Sequence, residues 1–145
     1  MANGQRRQFH WQSVRNDINF KNPNHWMIVR EQAKNKGLEH LQCEPDMDER
    51  SNYGLEDIAI IAKCGEQLNS SLSDEEKKPY WVIMDRNSDR REQIWFDRIK
   101  DKNQMNILLI VGSSHISTNS KSRGRGIDTI LNENGYRFVI LPFFE

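Results

Sequence analysis

The side chains with the clearest potential for chemistry are one histidine and one acidic cluster. His115 follows Gly112 at the end of the apolar run 106–111 (NILLIV), and the acidic cluster follows the short run 38–44. The cluster includes Glu44, Asp46 and Glu49. Carboxylates beside an imidazole can hold a divalent metal or support general acid–base catalysis. We therefore predict a site with His115 as metal ligand or general base, Glu44 as its acidic partner, and Asp46 and Glu49 as further metal ligands.

Arg91 completes this predicted site. It shares a helix face with Trp95, where it can orient an anionic group such as a carboxylate or a phosphate. Each candidate also has an ordinary structural interpretation. Arg91 can cover the core or pair with a carboxylate, His115 can cap a turn, and the acidic cluster can be a solvated turn. The sequence leaves these alternatives open.

A second candidate site is the basic connector before the last predicted helix. Lys121, Arg123 and Arg125 alternate there with serines and glycines. Cations beside the backbone amides of a helix start can bind an anion, so the pattern predicts nucleotide or phosphate binding without catalysis. A flexible insertion explains the same composition equally well.

Several helices are predicted to position these groups. Asn22 and Pro23 are typical of a helix start, and Gly37 of a helix end. Further helices are predicted over 55–68, from a capping box at Ser73 toward Met84, over 89–100 after a Ser88 cap, and from 127 to Gly135.

Three short apolar or alternating runs predict strands over 38–44, 106–111 and 136–141. The resulting fold class is α/β: a small three-layer domain with a short, mostly parallel sheet of about three strands flanked by helices. Residues 22–145 form this single domain, and residues 1–21 form a flexible polar arm. Because ligands bind beyond the carboxyl ends of such strands, Glu44 and His115 are expected to face one another.

Composition excludes several classes of protein. The 145 residues carry 21 Lys and Arg against 21 Asp and Glu, so the net charge is zero and argues against nucleic acid as a partner. No apolar run approaches the ~18 residues of a membrane-spanning helix. The only cysteines are Cys43 and Cys64. Two cysteines do not make a disulfide scaffold, and we predict a cytoplasmic location.

The region from Gly37 to Leu141 also resembles a known family. The motifs that carry the likeness are Arg86-Asn87, Arg91-Glu92, Trp95, the run 107–111, Gly112-Ser113-Ser114-His115 and Gly135-Tyr136. They resemble the C-terminal portion of the TraB/GumN and Tiki proteins, which are grouped with ChaN-like proteins and erythromycin esterases. The resemblance implies an α/β fold and, in the Tiki branch, metal-dependent peptide hydrolysis. It also implies that Gly112 and His115 form a metal-ligand motif.

These observations predict a ligand- or metal-binding domain that acts on a small molecule or a peptide. The metal would be zinc, manganese or iron. If the domain is an enzyme, we expect metal-dependent hydrolysis with a metal-bound water as the nucleophile. The alternative is a non-catalytic module that binds a nucleotide, a phosphate or a protein partner. Such a partner would be a second copy in a homo-oligomer, or another chain that completes the small sheet.

Overall fold

The computed structural model describes residues 25–102, 106–117 and 124–140. Two compact units divide the chain: 25–41 belong to the first, and the described residues from 42 to 140 belong to the second. The predicted arm 1–21 lies outside the described residues. So do Asn22 and Pro23, the predicted start of the first helix.

The first unit contains helix α1, His25–Asn35. Its end is a Schellman motif, in which the N–H of Gly37 donates to the carbonyl of Lys34 and the N–H of Leu38 donates to that of Ala33. Gly37 has a φ of 66°, which a residue with a side chain rarely adopts. The prediction that Gly37 ends the helix is confirmed.

The described residues of the second unit form four helices and two short 3₁₀ turns. The helices are α2 (Glu49–Asn52), α3 (Ile58–Leu68), α4 (Asp74–Ile99) and α5 (Ile127–Glu133). The turns span Lys100–Lys102 and Ser113–His115. Helix α3 begins after Asp57, whose carboxylate accepts a hydrogen bond from the N–H of Ala59 at 2.7 Å. The predicted helices over 55–68 and from 127 to Gly135 are therefore confirmed, with small changes of boundary.

Helix α4 is one continuous element of 26 residues. The predicted capping box is present, because Ser73 Oγ accepts from the N–H of Glu76 and the Glu76 carboxylate accepts from the N–H of Ser73. The prediction of a new helix capped by Ser88 is wrong, since Ser88 is buried inside α4. Pro79 lies in the second turn and removes only the hydrogen bond to the Glu75 carbonyl, so the helix continues.

The core of the second unit lies where the C-terminal half of α4 meets α5. Its members are Trp95, Phe96, Ile127 and Ile130. Leu109, Val111 and Tyr136 are among the partly buried residues that pack against them. The rings of Phe96 and Tyr136 meet edge to face, with centroids 5.6 Å apart. This packing fixes the C-terminal half of α4 and the start of α5, which carry the site described below.

The predicted α/β class is wrong for the described part of the chain. About 60% of these residues are helical and none forms a β-strand, so the three-layer arrangement around a parallel sheet is absent from them. Segments 38–44, 106–111 and 136–140 have no regular secondary structure. An apolar run provides the side chains of a buried strand, but a strand also needs a neighbour for its backbone groups. The described residues provide no such neighbour.

None of the helices in the described part of the chain combines the length and the apolar composition that crossing a membrane requires. The cytoplasmic location stays a prediction.

Candidate functional site

His115 is held by a carboxylate that lies deep in the second unit. In the 3₁₀ turn Ser113–His115, the N–H of His115 donates to the carbonyl of Gly112 at 3.0 Å. The ring then lies with Nδ1 2.9 Å from Oε1 of Glu92, a residue of α4 with no exposed surface. When Nδ1–H donates to Glu92, Nε2 of the neutral ring keeps a free lone pair. In that tautomer, Nε2 of His115 is able to accept a proton.

The second oxygen of Glu92 is also used. Its Oε2 accepts the backbone N–H of Gly126, the residue before α5, at 2.9 Å. Both oxygens thus have a hydrogen-bond partner, and such full pairing is what allows a carboxyl group to be buried. Gly126 has a φ of 86°, and a Cβ there would lie 2.5 Å from the backbone nitrogen of Ser117. Only glycine fits this close approach.

A second buried carboxylate joins the same loops. Asp128, in the first turn of α5, accepts the backbone N–H of Ser117 at 2.8 Å and the Ser117 hydroxyl at 2.6 Å. Ser117 follows His115 by two residues, so Asp128 ties the histidine-bearing loop to the start of α5, and Gly126, the residue before α5, bonds Glu92. Glu92 thus holds the His115 ring itself, and Asp128 holds the loop that carries it.

Trp95 links His115 to the predicted partners Glu44 and Arg91. Its ring meets the imidazole edge-on, with centroids 4.7 Å apart, and its indole N–H donates to Oε2 of Glu44 at 2.9 Å. Arg91 donates from Nε to both oxygens of Glu44 and lies with its Cζ 5.1 Å from the Trp95 ring centroid. The structure therefore brings His115, Glu44 and Arg91 around one tryptophan. Arg91 pairs with a carboxylate, as one of its two interpretations predicts.

Asp46 and Glu49 lie elsewhere and bond each other. The N–H of Asp46 donates to the Glu49 carboxylate at 2.9 Å, and the N–H of Glu49 donates to the Asp46 carboxylate at 2.8 Å, which closes the start of α2. Arg98 donates to both Glu49 oxygens at 3.1 and 3.0 Å. The Asp46 N–H, followed by Arg98, lowers the pKa of Glu49. The carboxylates of Asp46 and Glu49 therefore accept backbone N–H groups at the start of α2.

The donor groups therefore do not assemble a metal site in the part of the chain that the structure describes. No group of three His, Cys, Asp or Glu side chains there lies close enough together to hold an ion. His115 bonds Glu92, whereas Asp46 and Glu49 bond one another and Arg98. Binding of zinc, manganese or iron stays a prediction.

The basic connector is described only at its end. Lys121 and Arg123 lie outside the described residues. The N–H of Arg125 donates to the carboxylate of Asp89, and its guanidinium pairs with Glu133. The amide of the next residue, Gly126, bonds Glu92. The backbone N–H groups of Arg125 and Gly126 therefore donate to carboxylates of α4. In the predicted nucleotide or phosphate site, backbone N–H groups at this position would bind an external anion.

Glu92 is the main site residue to which the sequence analysis assigned no role. It follows Ser88 by four residues and precedes Trp95 by three and Ile99 by seven, and all four side chains are buried. This spacing places them on one helix face. A glutamate on an otherwise core-forming face is a signal that could have identified it, because such a carboxylate must have a buried partner.

Comparison with known proteins gives no relative. No family model, no curated protein and no solved structure matches the chain. The likeness to TraB/GumN and Tiki proteins accordingly stays a resemblance of short motifs.

Proposed function

We propose that the chain binds a small ligand, a metabolite or a peptide, through Nε2 of His115 and exchanges a proton with it. The observation that carries the proposal is the fully buried Glu92, with one oxygen on Nδ1 of His115 and the other on the N–H of Gly126. A buried carboxylate in this position stabilises the imidazolium that forms when Nε2 takes a proton from an O–H or N–H group.

Accessibility supports the same proposal. About a tenth of the His115 side chain is exposed, and Nε2 has no hydrogen-bond partner among the described residues. A purely structural histidine is better served by two internal partners, whereas His115 has an internal partner on Nδ1 alone among the described residues. The ligand would reach the ring from its Nε2 side.

Diethyl pyrocarbonate, which acylates unprotonated imidazole nitrogen, tests this proposal directly. We expect His115 to react at least as fast as the exposed His40, despite the burial of most of its ring, because Nδ1–H bound to Glu92 leaves the lone pair on Nε2 and Glu92 supports the positive charge that develops. Peptide mass mapping measures both rates in one sample. Glu92→Gln should slow the reaction at His115 and leave His40 unchanged. Acylation of His40 without acylation of His115 in the folded protein would contradict the proposal.

A second function, self-association, is favoured by a separate observation in the same unit. Segments 107–111 and 137–140 make no backbone–backbone hydrogen bond within the described residues. They also expose large apolar side chains. These are Ile107, Leu108, Phe138, Val139 and Ile140, with Val139 80% exposed. Extended segments with free backbone groups and apolar side chains are surfaces onto which another chain adds a strand.

We propose a second copy of the chain as the partner. Residues 106–111 carry no charge, so two copies meet there without repulsion, and closed dimers are the commonest oligomers. Light scattering should then give a dimer mass for the native chain and a monomer mass for Val139→Lys. Val82→Lys places the same charge on an exposed valine of α4 and should leave the dimer intact. A native chain that is monomeric at all concentrations excludes this function.

A further inference from the structure

Three N–H contacts, from Arg91 and Trp95, and an ion pair with Arg50 converge on the carboxylate of Glu44. Arg91 Nε lies 3.0 and 3.1 Å from the two oxygens, and the Trp95 indole nitrogen lies 2.9 Å from Oε2. Arg50 approaches Oε1 at 3.6 Å. We call Arg50, Arg91 and Trp95 the carboxylate cradle. Its donors are arranged on both oxygens of a planar carboxylate, which is the geometry for recognising that group.

The cradle is more deeply buried than the group it holds. The side chains of Arg50 and Arg91 are 9% and 29% exposed, whereas that of Glu44 is 37% exposed. Glu44 also lies on a segment without regular secondary structure. Arg98 bonds the carbonyl of Gln42 at 3.2 Å and so holds the nearby backbone independently of the Glu44 side chain. Rotation of this one side chain would therefore open the cradle to solvent.

An empty cradle would strongly favour an anion. Among the described residues, Arg50 and Arg91 have no carboxylate partner other than Glu44. Nε of Arg50 is enclosed and has no hydrogen-bond partner in this part of the chain. Partly desolvated guanidinium groups without a counter-charge are costly, so another carboxylate that enters will be bound.

We infer that the cradle is a binding site for the carboxylate of a ligand, and that Glu44 is an internal occupant which the ligand displaces. The inference rests on the proposed function at His115. Trp95 contacts both Glu44 and His115, so one ligand can place a carboxylate in the cradle and an O–H or N–H group against Nε2. The ligand class is thus a small carboxylic acid that also carries a hydrogen-bond donor.

Propionate tests the inference because it reproduces the side chain of Glu44 beyond the Cα atom. In Glu44→Ala, propionate should bind in the cradle and shift the indole N–H signal of Trp95 in a ¹H–¹⁵N spectrum. Trp95→Phe identifies that signal among the four tryptophans. The native chain should bind propionate about tenfold more weakly or worse, because tethered Glu44 competes at a high effective concentration. Chloride at the same ionic strength serves as the control anion.

Two results would overturn the inference. One is equal propionate affinity in the native chain and in Glu44→Ala, which would place binding outside the cradle. The other is a folded Glu44→Ala whose Trp95 signal does not respond to propionate. Adding Arg91→Gln to Glu44→Ala should abolish the response. If Glu44→Ala does not fold, Glu44→Gln replaces it, since its neutral amide keeps the shape of the side chain and competes less well for the cradle.

The His115 site and the cradle can fail separately. Glu44→Ala combined with His115→Gln should still bind propionate, because His115 does not contact the carboxylate. If His115 is inert to diethyl pyrocarbonate while the Trp95 signal still responds to propionate, the proposed function fails and the cradle stands as a carboxylate site. If His115 reacts with diethyl pyrocarbonate while the Trp95 signal does not respond to propionate, the cradle is excluded as a carboxylate site and the proposed function stands.

Discussion

The two halves of α4 differ sharply in what surrounds them. All the buried residues of the helix lie in its second half, between Asn87 and Ile99, and the site residues Arg91, Glu92 and Trp95 are there. The first half, from Asp74 to Arg86, contains no buried residue, and Val82 within it is 63% exposed. One continuous helix thus serves in turn as a partly exposed element and as the wall of a polar site.

The buried half of α4 is the part of the helix that can hold a reactive group. Helix propensity and the capping box at Ser73 are sufficient to form the exposed first half of α4. The buried half instead depends on long-range partners, because Glu92 lies 23 residues from His115 and 34 from Gly126 along the chain. Mutations that remove those partners should be far more costly than mutations that weaken the exposed half.

The largest effect is expected from Glu92→Ala. This change leaves Nδ1 of His115 and the N–H of Gly126 without their buried partner, and loss of one member of a buried pair costs about 3–5 kcal/mol. Urea unfolding followed by circular dichroism measures the change. Glu66→Ala, on the exposed face of α3, is the matched control and should cost less than about 0.5 kcal/mol. Equal losses for the two variants would refute the contrast between the regions.

The next largest effect is expected from truncating a buried apolar residue of α4, compared with an exposed one in the same helix. Ile94 is 5% exposed and Val82 is 63% exposed. Ile94→Ala removes buried methyl groups and leaves a cavity, so it should lower the free energy of unfolding by about 2–5 kcal/mol. Val82→Ala should be neutral or slightly stabilising, since alanine has the higher helix propensity. Thermal unfolding of both variants tests this, and a loss of similar size at Val82 would show that the first half is buried too.

A smaller effect is expected at the start of α4. Ser73→Ala removes the acceptor of the Glu76 N–H and should cost about 1 kcal/mol of unfolding free energy. Ser71→Ala, two residues earlier and exposed, is the control and should change little. A loss as large as that of Glu92→Ala would mean that the cap, and not the buried half, governs the stability of the helix.

The smallest effect is a pH dependence at the same cap. The Ser73 hydroxyl and then the Ser73 N–H lower the pKa of Glu76. A lowered pKa contributes stability above the ordinary glutamate value of about 4.3, and that contribution is lost as pH falls through the folded value. Glu76→Gln should therefore be less stable than the native chain at neutral pH and equal to it in acid. A difference between the two that does not change with pH would contradict the assignment.

The helix ends were predictable because their signals are local. Gly37 and Gly135 each follow a helix and adopt a positive φ, and Ser73 and Glu76 stand at capping-box spacing. The boundary predicted at Ser88 failed for the opposite reason. Serine is typical of a helix start, but Ser88 is a buried residue in the interior of α4, where its burial depends on distant parts of the chain.

Strands and site partners were harder to predict because they depend on distant residues. The apolar run 106–111 has the composition of a buried strand, yet a strand forms only when another segment lies beside it. The same limit applies to the site. The sequence analysis expected His115 and Glu44 to meet at the edge of a sheet, which the described residues do not form. His115, Glu44 and Arg91 are close together because each of the three side chains contacts Trp95.

The protonation pattern of the His115 ring tests the central claim most directly. Long-range ¹H–¹⁵N spectra distinguish the two nitrogens of a neutral imidazole above about pH 8, where an ordinary histidine has lost its charge. We expect a proton on Nδ1 and a lone pair on Nε2 in the native chain, and loss of this preference in Glu92→Gln. A proton on Nε2 in the native chain, with Nδ1 unprotonated, would show that Glu92 does not orient the ring and would contradict the proposed site.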